Sequence, residues 1–397
     1  MLMGATVLLL GLATMMPAQQ QQDAGLPFGG AITVRSFDVR AEGNSLSALI
    51  LGQFQPDEAP RLAYVEASTH SGRWNPPRFI DTALARPISS RGNDVQLAAA
   101  GHRRVAVFQV MGEFPGNGPL MVAVSEDDGQ HWESGILPVM GDPQQNQSYP
   151  DVEIDETGAI HLVWLDDREE NGSTQGLRSA LSRDGGRHWQ EEGTVDMAVC
   201  TCCSTRLTRL PDAKLALLYR DHAPQDMRLA VRKPNNHPWQ LADRVGTFNW
   251  QIDGCPHTSG GLASSLKAGE ITLHAAIWTG EDQYTGVHYL KSSADGQDFK
   301  TRQLIDTHGS DPDIATRPEQ AVAIAYRHGS GKDSRIALVK SENGGKDWST
   351  PAFLSAPGLK PDHPRIVPTP QGFRVFWTER LNGGDKRLAS ASLDSSS

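Results

Sequence analysis

The chain has 397 residues, of which 38% are hydrophobic and 21% charged, so it can bury a core and is not composed like a disordered protein. Its formal net charge is −10, which excludes the basic footprint that binding to nucleic acid or to an anionic membrane surface requires. The 39 glycines and 25 prolines are typical of many short strands joined by turns, and they indicate an all-β protein.

The first feature of the chain is an apolar segment from Leu2 to Met16, followed by Pro17, Ala18 and a run of glutamines. This pattern predicts a secretory signal peptide over residues 1–22, so that residues 23–397 form a single domain. An uncleaved anchor is the alternative, although the segment is shorter than the ~20 residues that usually span a bilayer. We expect a periplasmic or secreted protein with no membrane span after cleavage, in a compartment that permits disulfides.

A short motif recurs along the chain in the form Ser-x-Asp-x-Gly-x-x-Trp. Two copies are complete, a third has Asn for Asp, and a fourth is degenerate and ends in Phe: Ser125–Trp132, Ser182–Trp189, Ser341–Trp348 and Ser292–Phe299. With Trp74 and Trp239, the final aromatics lie about 50 to 60 residues apart. The carboxylate or amide can accept hydrogen bonds from turn N–H groups, and glycine can take a positive φ. The aromatic can pack over the hairpin.

Each unit between two motifs contains four short strand patterns, which is the content of one β-propeller blade. We label the strands A to D from the channel outward, with the motif in the turn between C and D. Strand A–B pairs are predicted at 34–52, 94–110, 151–165, 205–219, 260–278, 313–326 and 364–377. The count favours seven blades, with six as the alternative. The last unit has no motif and no strand D, and we expect a strand near Ile32, Thr33 and Val34 to supply it and close the ring.

The repeated motif resembles the Asp box, or bacterial neuraminidase repeat, of the sialidase superfamily, and the resemblance covers essentially all of the chain after the signal peptide. It implies a sialidase-like β-propeller and transfers no established activity. A narrower resemblance is to exported bacterial sialidase-like proteins that carry Cys-x-Cys-Cys, Tyr-Arg-Asp and Gly-Cys-Pro in this order. The matching residues here are Cys200, Cys202, Cys203, Tyr219, Arg220, Asp221, Gly254, Cys255 and Pro256.

All four cysteines fall in two neighbouring D-to-A connections, which lie on the face around the channel mouth. Cys200, Cys202 and Cys203 precede blade four, and Cys255 precedes blade five together with His257. Further polar residues of this face precede blades six and seven: His308, Ser310, Asp311, Asp362 and His363. Loops at such a rim carry function on a rigid scaffold.

Three interpretations of the cysteines stay open. One is disulfide stapling, for example between Cys202 or Cys203 and Cys255, or by two bridges. The second is a metal site formed by Cys200, Cys202, Cys203, Cys255 and His257, because thiolates select soft ions such as Cu(I) or Zn(II). The spacing is not the zinc signature of two Cys-x-x-Cys pairs, and copper is favoured in an exported protein. The third is redox chemistry through a labile bridge.

A second group of polar residues begins the B–C loops on the same face. Arginines from several blades could together clamp a carboxylate by bidentate hydrogen bonds. The catalytic candidates are Arg168, Tyr219, Arg220, Asp221, Arg228 and Arg327. The sialidase resemblance implies such a cluster with a tyrosine nucleophile. It also implies an Arg-Ile-Pro type motif, whereas the first strand reads Val34-Arg35-Ser36-Phe37. The alternative is that each arginine pairs with the acid beside it.

These patterns predict an exported, sialidase-like propeller with a Cys/His metal site at the channel mouth, copper favoured over zinc. The surrounding polar shell is predicted to be Tyr219, Arg220, Asp221, Asp226, Arg228 and Asp253. One alternative is an exo-sialidase-type glycoside hydrolase that acts on an acidic sugar. The other is a disulfide-stapled binding scaffold without catalysis. The expected partner is a small molecule, a glycan or a metal ion, and not a nucleic acid.

Overall fold

The computed structural model describes residues 33–69, 74–113, 117–137, 146–168, 174–234, 237–299, 301–381 and 384–394. Residues 1–22, the predicted signal peptide, lie outside them, so that cleavage stays a prediction. Within the described ranges the chain forms seven separate antiparallel sheets in chain order and two short 3-10 helices, at Pro318–Gln320 and Gly331–Asp333. The prediction of an all-β, seven-bladed propeller is therefore confirmed, and the six-blade alternative is excluded.

The first three blades follow one another without crossover. Blade one contains β1 (Thr33–Glu42), β2 (Ser45–Gln53), β3 (Arg61–Ser68) and β4 (Arg78–Phe79). Blade two contains β5 (Pro87–Ile88), β6 (Gln96–Ala100), β7 (Arg103–Val110), β8 (Leu120–Ser125) and β9 (Glu133–Ile136), with β5 and β6 both paired to β7. Blade three contains β10 (Ser148–Ile154), β11 (Ile160–Asp166), β12 (Gln175–Ser182) and β13 (Gln190–Val199).

The remaining four blades complete the ring. Blade four contains β14 (Arg206–Arg209), β15 (Leu215–Arg220), β16 (Met227–Arg232) and β17 (Gln240–Arg244). Blade five contains β18 (Gly261–Lys267), β19 (Glu270–Thr279), β20 (Gly286–Ser293) and β21 (Arg302–Asp306). Blade six contains β22 (Gly309–Arg317), β23 (Ala321–His328), β24 (Arg335–Ser341) and β25 (Ala352–Phe353). Blade seven contains β26 (Asp362–Thr369), β27 (Gly372–Arg380) and β28 (Lys386–Asp394).

The predicted closure of the ring by a strand near Ile32, Thr33 and Val34 is wrong for Thr33 and Val34, and Ile32 lies outside the described residues. Thr33 and Val34 belong to β1, where they pair with Gln53 and Gly52 of blade one. Blade seven therefore has three strands among the described residues. A side-chain hydrogen bond of 2.6 Å from Thr33 Oγ1 to Asp385 Oδ1 links the two ends of the ring instead. Thr33 and Val34, which the prediction had assigned to blade seven, instead pair with strand β2 of blade one.

Apolar side chains are buried between the faces of adjoining blades. Seven clusters of buried residues correspond to the seven blade–blade interfaces. Strands with both faces covered become continuously apolar, as in β8 and β15, which are buried along their whole length. The cluster between blades three and four includes Cys200, Cys202 and Cys203. These sulfur atoms thus lie at the end of a blade–blade core.

The Ser-x-Asp-x-Gly turns have the local geometry that the sequence predicts. In the turn of blade two, Ser125 Oγ accepts from Gly129 N at 2.8 Å and Asp127 Oδ1 accepts from His131 N at 2.9 Å. Corresponding bonds in blades three and six are between 2.9 and 3.0 Å. The glycines adopt positive φ, at 75° for Gly129 and 76° for Gly345. Each turn lies between strands C and D, as expected.

These turns also join neighbouring blades through their glycines and aromatics. The ring of Trp348 meets that of Tyr289, which is on strand C of blade five, edge-on at a centroid distance of 4.9 Å. Tyr289 also fills the space in which a Cβ on Gly345 would lie. In blade two, Trp132 and Gly129 contact Tyr64 of blade one in the same way. Glycine is thus required both by φ and by the tyrosine of the preceding blade.

We expect Gly345→Ala to lower the free energy of unfolding by about 3 kcal/mol, because the new Cβ is strained at positive φ and overlaps Tyr289. Gly358→Ala is the matched control, since Gly358 also has a positive φ, of 90°, but a Cβ added there would meet no described atom within 4 Å. This control is expected to cost about 1 kcal/mol. Urea denaturation of both variants measures the difference, and equal losses would contradict the role of Tyr289.

Among the residues that the structure describes, no helix is long and apolar enough to cross a membrane.

Candidate functional site

Two neighbouring D-to-A connections bring the four cysteines together. One connection follows β13 and carries Cys200, Cys202 and Cys203 before β14 begins at Arg206. The other runs from β17 to β18 and carries Cys255 and His257. The predicted convergence of these residues is observed, because Cys202 belongs to two groups of closely spaced donor atoms. One group is formed with Cys200 and Cys203, and the other with Cys255 and His257.

Cys200 and Cys203 form a disulfide, with a Cα–Cα distance of 5.7 Å, and both are buried. The expected bridge from Cys202 or Cys203 to Cys255 is therefore not the one formed. Cys202 lies between the two bonded cysteines in sequence and remains a free, buried thiol, while Cys255 is free and exposed. The bridge divides the predicted five-residue ligand set and leaves Cys202, Cys255 and His257.

The three remaining residues are close enough to share one ion. The two sulfurs and a ring nitrogen of His257 all lie within 4.8 Å of one another. Three ligands bonded at about 2.3 Å to one ion lie no more than about 4.6 Å apart, so small adjustments close the set. His257 Nδ1 is buried and has no hydrogen-bond partner among the described residues. The backbone of His257 has a positive φ of 50°. Two thiols and an imidazole that has an unpaired buried nitrogen form a donor set that a soft cation fits.

The local environment keeps Cys202 as a neutral thiol when no cation is bound. Burial, together with the hydrogen bond to Cys255, raises the pKa of Cys202 to about 12, although the backbone N–H of His257 and the charge of Arg220 act in the opposite direction. Removing a proton from Cys202 therefore needs a positive charge in its place. A metal ion would supply that charge, because it binds the thiolate form.

The loop that carries Cys255 and His257 is held by a single buried carboxylate. Asp226 accepts hydrogen bonds from three successive backbone N–H groups, those of Phe248, Asn249 and Trp250, at 3.1, 2.9 and 3.2 Å. Gln225 continues this attachment through both its amide oxygen and nitrogen, which bond to the backbone of Ile252. The sequence predicted Asp226 as part of the polar shell, and the structure places it as the anchor of the loop.

Arg220 is enclosed between the same two connections. It donates to the backbone carbonyls of Gln225 at 2.6 Å, Trp278 at 3.0 Å and Thr258 at 3.4 Å, and it lies over the ring of Trp250. Burial lowers its pKa to about 10. Within the described part of the chain, no carboxylate forms an ion pair with it. Its guanidinium therefore acts as a fixed positive charge that supports the loop near Cys202.

The other arginines of the predicted clamp are engaged by acids of their own blade or of the neighbouring blade. Arg168 pairs with Asp166 at 2.5 Å and with Glu192. Arg228 lies 3.4 Å from Asp221 and 3.7 Å from Asp196. Separate bonds hold the two remaining candidates: Tyr219 donates to Asp196 at 2.7 Å, and Arg327 pairs with Asp311 at 2.9 Å. These contacts follow the alternative in which each arginine balances an acid beside it.

Sequence reasoning missed two residues of this rim. Tyr149, near the start of strand A of blade three, is buried, and its pKa is raised well above the usual range by burial and by the nearby Cys202 and Cys255. Asp94, before blade two, lies 3.3 Å from His363 Nε2. Asp94 precedes β6, and Tyr149 is the second residue of β10, so a search for polar side chains in every D-to-A connection and at the start of every strand A would have found both.

A small cavity lies between the D-to-A connections of this face. Asp94, His257, Asp311 and His363 surround a cavity of only about 20 Å³. That volume holds a single water molecule and excludes a sugar ring at this point. Deeper in the channel is a cavity of about 280 Å³, lined by charged residues of the innermost strands: Arg40, Glu153, Arg206, Asp313 and Arg365. Burial raises the pKa of Glu153 there to about 7.

No family model matches the chain, and no curated protein matches its sequence. Solved structures do match. The polysaccharide lyase Uly1 aligns over 95% of this chain and 93% of its own, with 12% identity and a TM-score of 0.55. A protein of unknown function from Dyadobacter fermentans aligns over 94% and 98%, with 11% identity and a TM-score of 0.52.

A mutant of the Trypanosoma rangeli sialidase that displays trans-sialidase activity aligns over 90% of this chain, with 9% identity and a TM-score of 0.52. This chain spans about half of that sialidase, since 54% of the larger protein is covered. At such identities the similarity establishes a shared sialidase-like propeller fold. It assigns no activity to this chain.

Proposed function

We propose that this chain is an exported, metal-binding propeller of the Asp-box type, in the periplasm or secreted, whose site at the channel mouth binds Cu(I). The observation that carries the proposal is the cluster of two free thiols and one imidazole, with all three donor atoms within 4.8 Å. The orphaned nitrogen of His257 supports it independently, because a buried polar atom without a partner is costly unless a ligand completes it.

Copper is favoured over zinc by the number and type of donors. Two thiolates and one imidazole give a three-ligand, mostly sulfur set, which suits a soft monovalent ion. Zn(II) in a Cys₂His site takes a fourth ligand such as water and is the alternative ion. The two sulfurs have different roles. Cys202 is buried and held by the fold, whereas Cys255 is exposed and accessible to an incoming ion.

The acidic-sugar hydrolase is the less supported alternative. The donors of Arg220 reach backbone carbonyls, and the arginines at positions 168, 228 and 327 face acids of their own or an adjacent connection. A substrate carboxylate would have to displace these contacts. The hydrolase would be supported by turnover of a fluorogenic sialoside that Arg220→Ala abolishes.

Anaerobic titration with Cu(I) against a chromophoric Cu(I) chelator tests the metal site. We expect one ion per chain in the protein that retains its disulfide, and at least a 10-fold loss of affinity in Cys255→Ser and in His257→Ala, because each removes one of three ligands. His222→Ala is the matched control, since His222 is exposed and lies outside the ligand set. A chain that retains neither Cu(I) nor Zn(II) would contradict the proposal and would favour the disulfide-stapled scaffold.

A further inference from the structure

Cys202 belongs to two sets of potential ligands and is the only residue that they share among the groups found in the described ranges. The first set is Cys202, Cys255 and His257. The second is Cys200, Cys202 and Cys203, whose three sulfurs also lie within 4.8 Å of one another. The sulfur of Cys202 is 3.8 Å from that of Cys200. The buried sulfur of Cys202 is thus common to two groups of three donor atoms.

The disulfide decides which of the two sets can bind an ion. Sulfur atoms joined to each other are not thiolates, and the thiolate is the form that ligates metals. With Cys200 and Cys203 bonded, only the first set is complete. Breaking the bridge turns the second set into three thiols at a spacing that fits bonds of about 2.3 Å to a single ion. The number of thiols available to a soft cation at this site therefore depends on whether the bridge is oxidised or reduced.

The charge at this location favours more than one ion. A thiolate sulfur retains several lone pairs, so Cys202 can bridge two soft cations. Four thiolates and a neutral imidazole around two Cu(I) ions carry a net charge of about −2 by formal counting. Arg220, buried beside Cys202 and without an ion-pair partner in the described part of the chain, offsets part of that charge.

We propose that reduction of the Cys200–Cys203 bridge by a dithiol creates a second Cu(I) site, so that the mouth holds two ions bridged by Cys202. This inference rests on the proposed function. The dithiol gives two electrons and two protons to the bridge and becomes a disulfide, and Cys200 and Cys203 become thiols. Binding of the two Cu(I) ions then displaces one proton from each of the four cysteines, and the shared Cys202 loses its proton once, so four protons are released in all.

The test compares Cu(I) stoichiometry in two states of the same protein. One sample keeps the bridge, and the other is reduced anaerobically with a dithiol that is then removed. Alkylation in denaturant with a chelator, followed by intact mass, is expected to count two thiols in the first sample and four in the second. Competition with the chromophoric chelator is expected to give one ion per chain before reduction and two after it.

The double variant Cys200→Ser/Cys203→Ser is expected to bind one ion with or without the dithiol. X-ray absorption of the wild-type protein gives a second readout that needs no variant, since a copper–copper vector is expected only in the reduced, loaded sample. One ion in both states, or a bridge that the dithiol does not reduce in the folded protein, overturns this inference and leaves the proposed function standing. No ion in the bridged state contradicts the proposed function itself.

Discussion

Asp226→Ala is expected to lower the free energy of unfolding by about 3 kcal/mol and to weaken Cu(I) binding at least 10-fold. The carboxylate is 2% exposed and accepts three backbone N–H groups, which lose their partner together in the variant. The same three residues begin the segment that leads to Cys255 and His257. Because metal affinity depends on how firmly its ligands are positioned, the loss of this anchor acts on both quantities.

Urea denaturation and the Cu(I) competition assay, both at a temperature where the variant is folded, measure the two effects. Asp226→Asn keeps an oxygen that can accept from the same N–H groups, and we expect it to lose about half as much stability. Asp212→Ala is a control in the same blade, because Asp212 is exposed and forms a surface ion pair with Lys214, so its expected effect is below about 0.5 kcal/mol. Lower stability with unchanged Cu(I) affinity would show that Asp226 does not position the ligands.

The second large effect is expected from His363, whose stability contribution should disappear as the pH rises from about 6.5 to about 10. Burial by itself lowers the pKa of His363, but Asp94 and then Asp362 outweigh it and raise the pKa to about 10. The imidazole lies 3.3 Å from Asp94 and 3.6 Å from Asp362. The folded protein therefore keeps a proton that the unfolded chain releases near pH 6.5, and proton release favours unfolding throughout this interval.

His363→Gln removes that dependence and leaves two acids without their shared cation. We expect a loss of about 3 kcal/mol at pH 6, which becomes smaller as the pH approaches 10. Arg365, 3.8 Å from Asp94, and Arg327, 3.9 Å from Asp362, offset part of the loss. Urea denaturation between pH 6 and pH 10 measures the difference in the free energy of unfolding between wild type and variant. The titration of the cysteines contributes equally to both proteins and cancels in this difference.

The matched control is His222→Gln, since His222 is exposed. Its stability curve should run parallel to that of the wild type. If His363→Gln also runs parallel, the imidazole does not retain its proton in the folded state, and the two acids are balanced by the arginines alone.

The fold could be predicted from the sequence because a blade is a local unit. Strand A–B pairs were expected at 151–165 and 260–278, and the structure has them at 148–166 and 261–279. Each pair is joined by a short turn, so its residues and its partner are both visible in one stretch of sequence. Closure of the ring is not local, and here the expectation for Thr33 and Val34 was wrong.

The site was predictable in its position but not in its bonds. Chain order alone places Cys200 and Cys255 in adjacent connections on one face. Which two sulfurs bond depends on distances of a few ångströms, and a bridge between residues 200 and 203 competes with one to residue 255 on equal chemical terms. The contributions of Tyr149 and Asp94 depend on how three or more blades converge, which spacing within one blade does not encode.

The three-stranded last blade has a mechanical consequence. In the described strands, every blade is a continuous piece of chain, so no blade contains strands from both ends of the chain. Among the described residues, the contacts between blades one and seven are therefore made by side chains, among them the Thr33–Asp385 bond and the edge-on contact of Trp74 with Phe376 at 6.0 Å. A force that pulls Thr33 and Asp385 apart would act on these contacts directly, because no ladder of backbone hydrogen bonds joins the described strands of the two blades. We therefore expect the described ring to open first between blades one and seven.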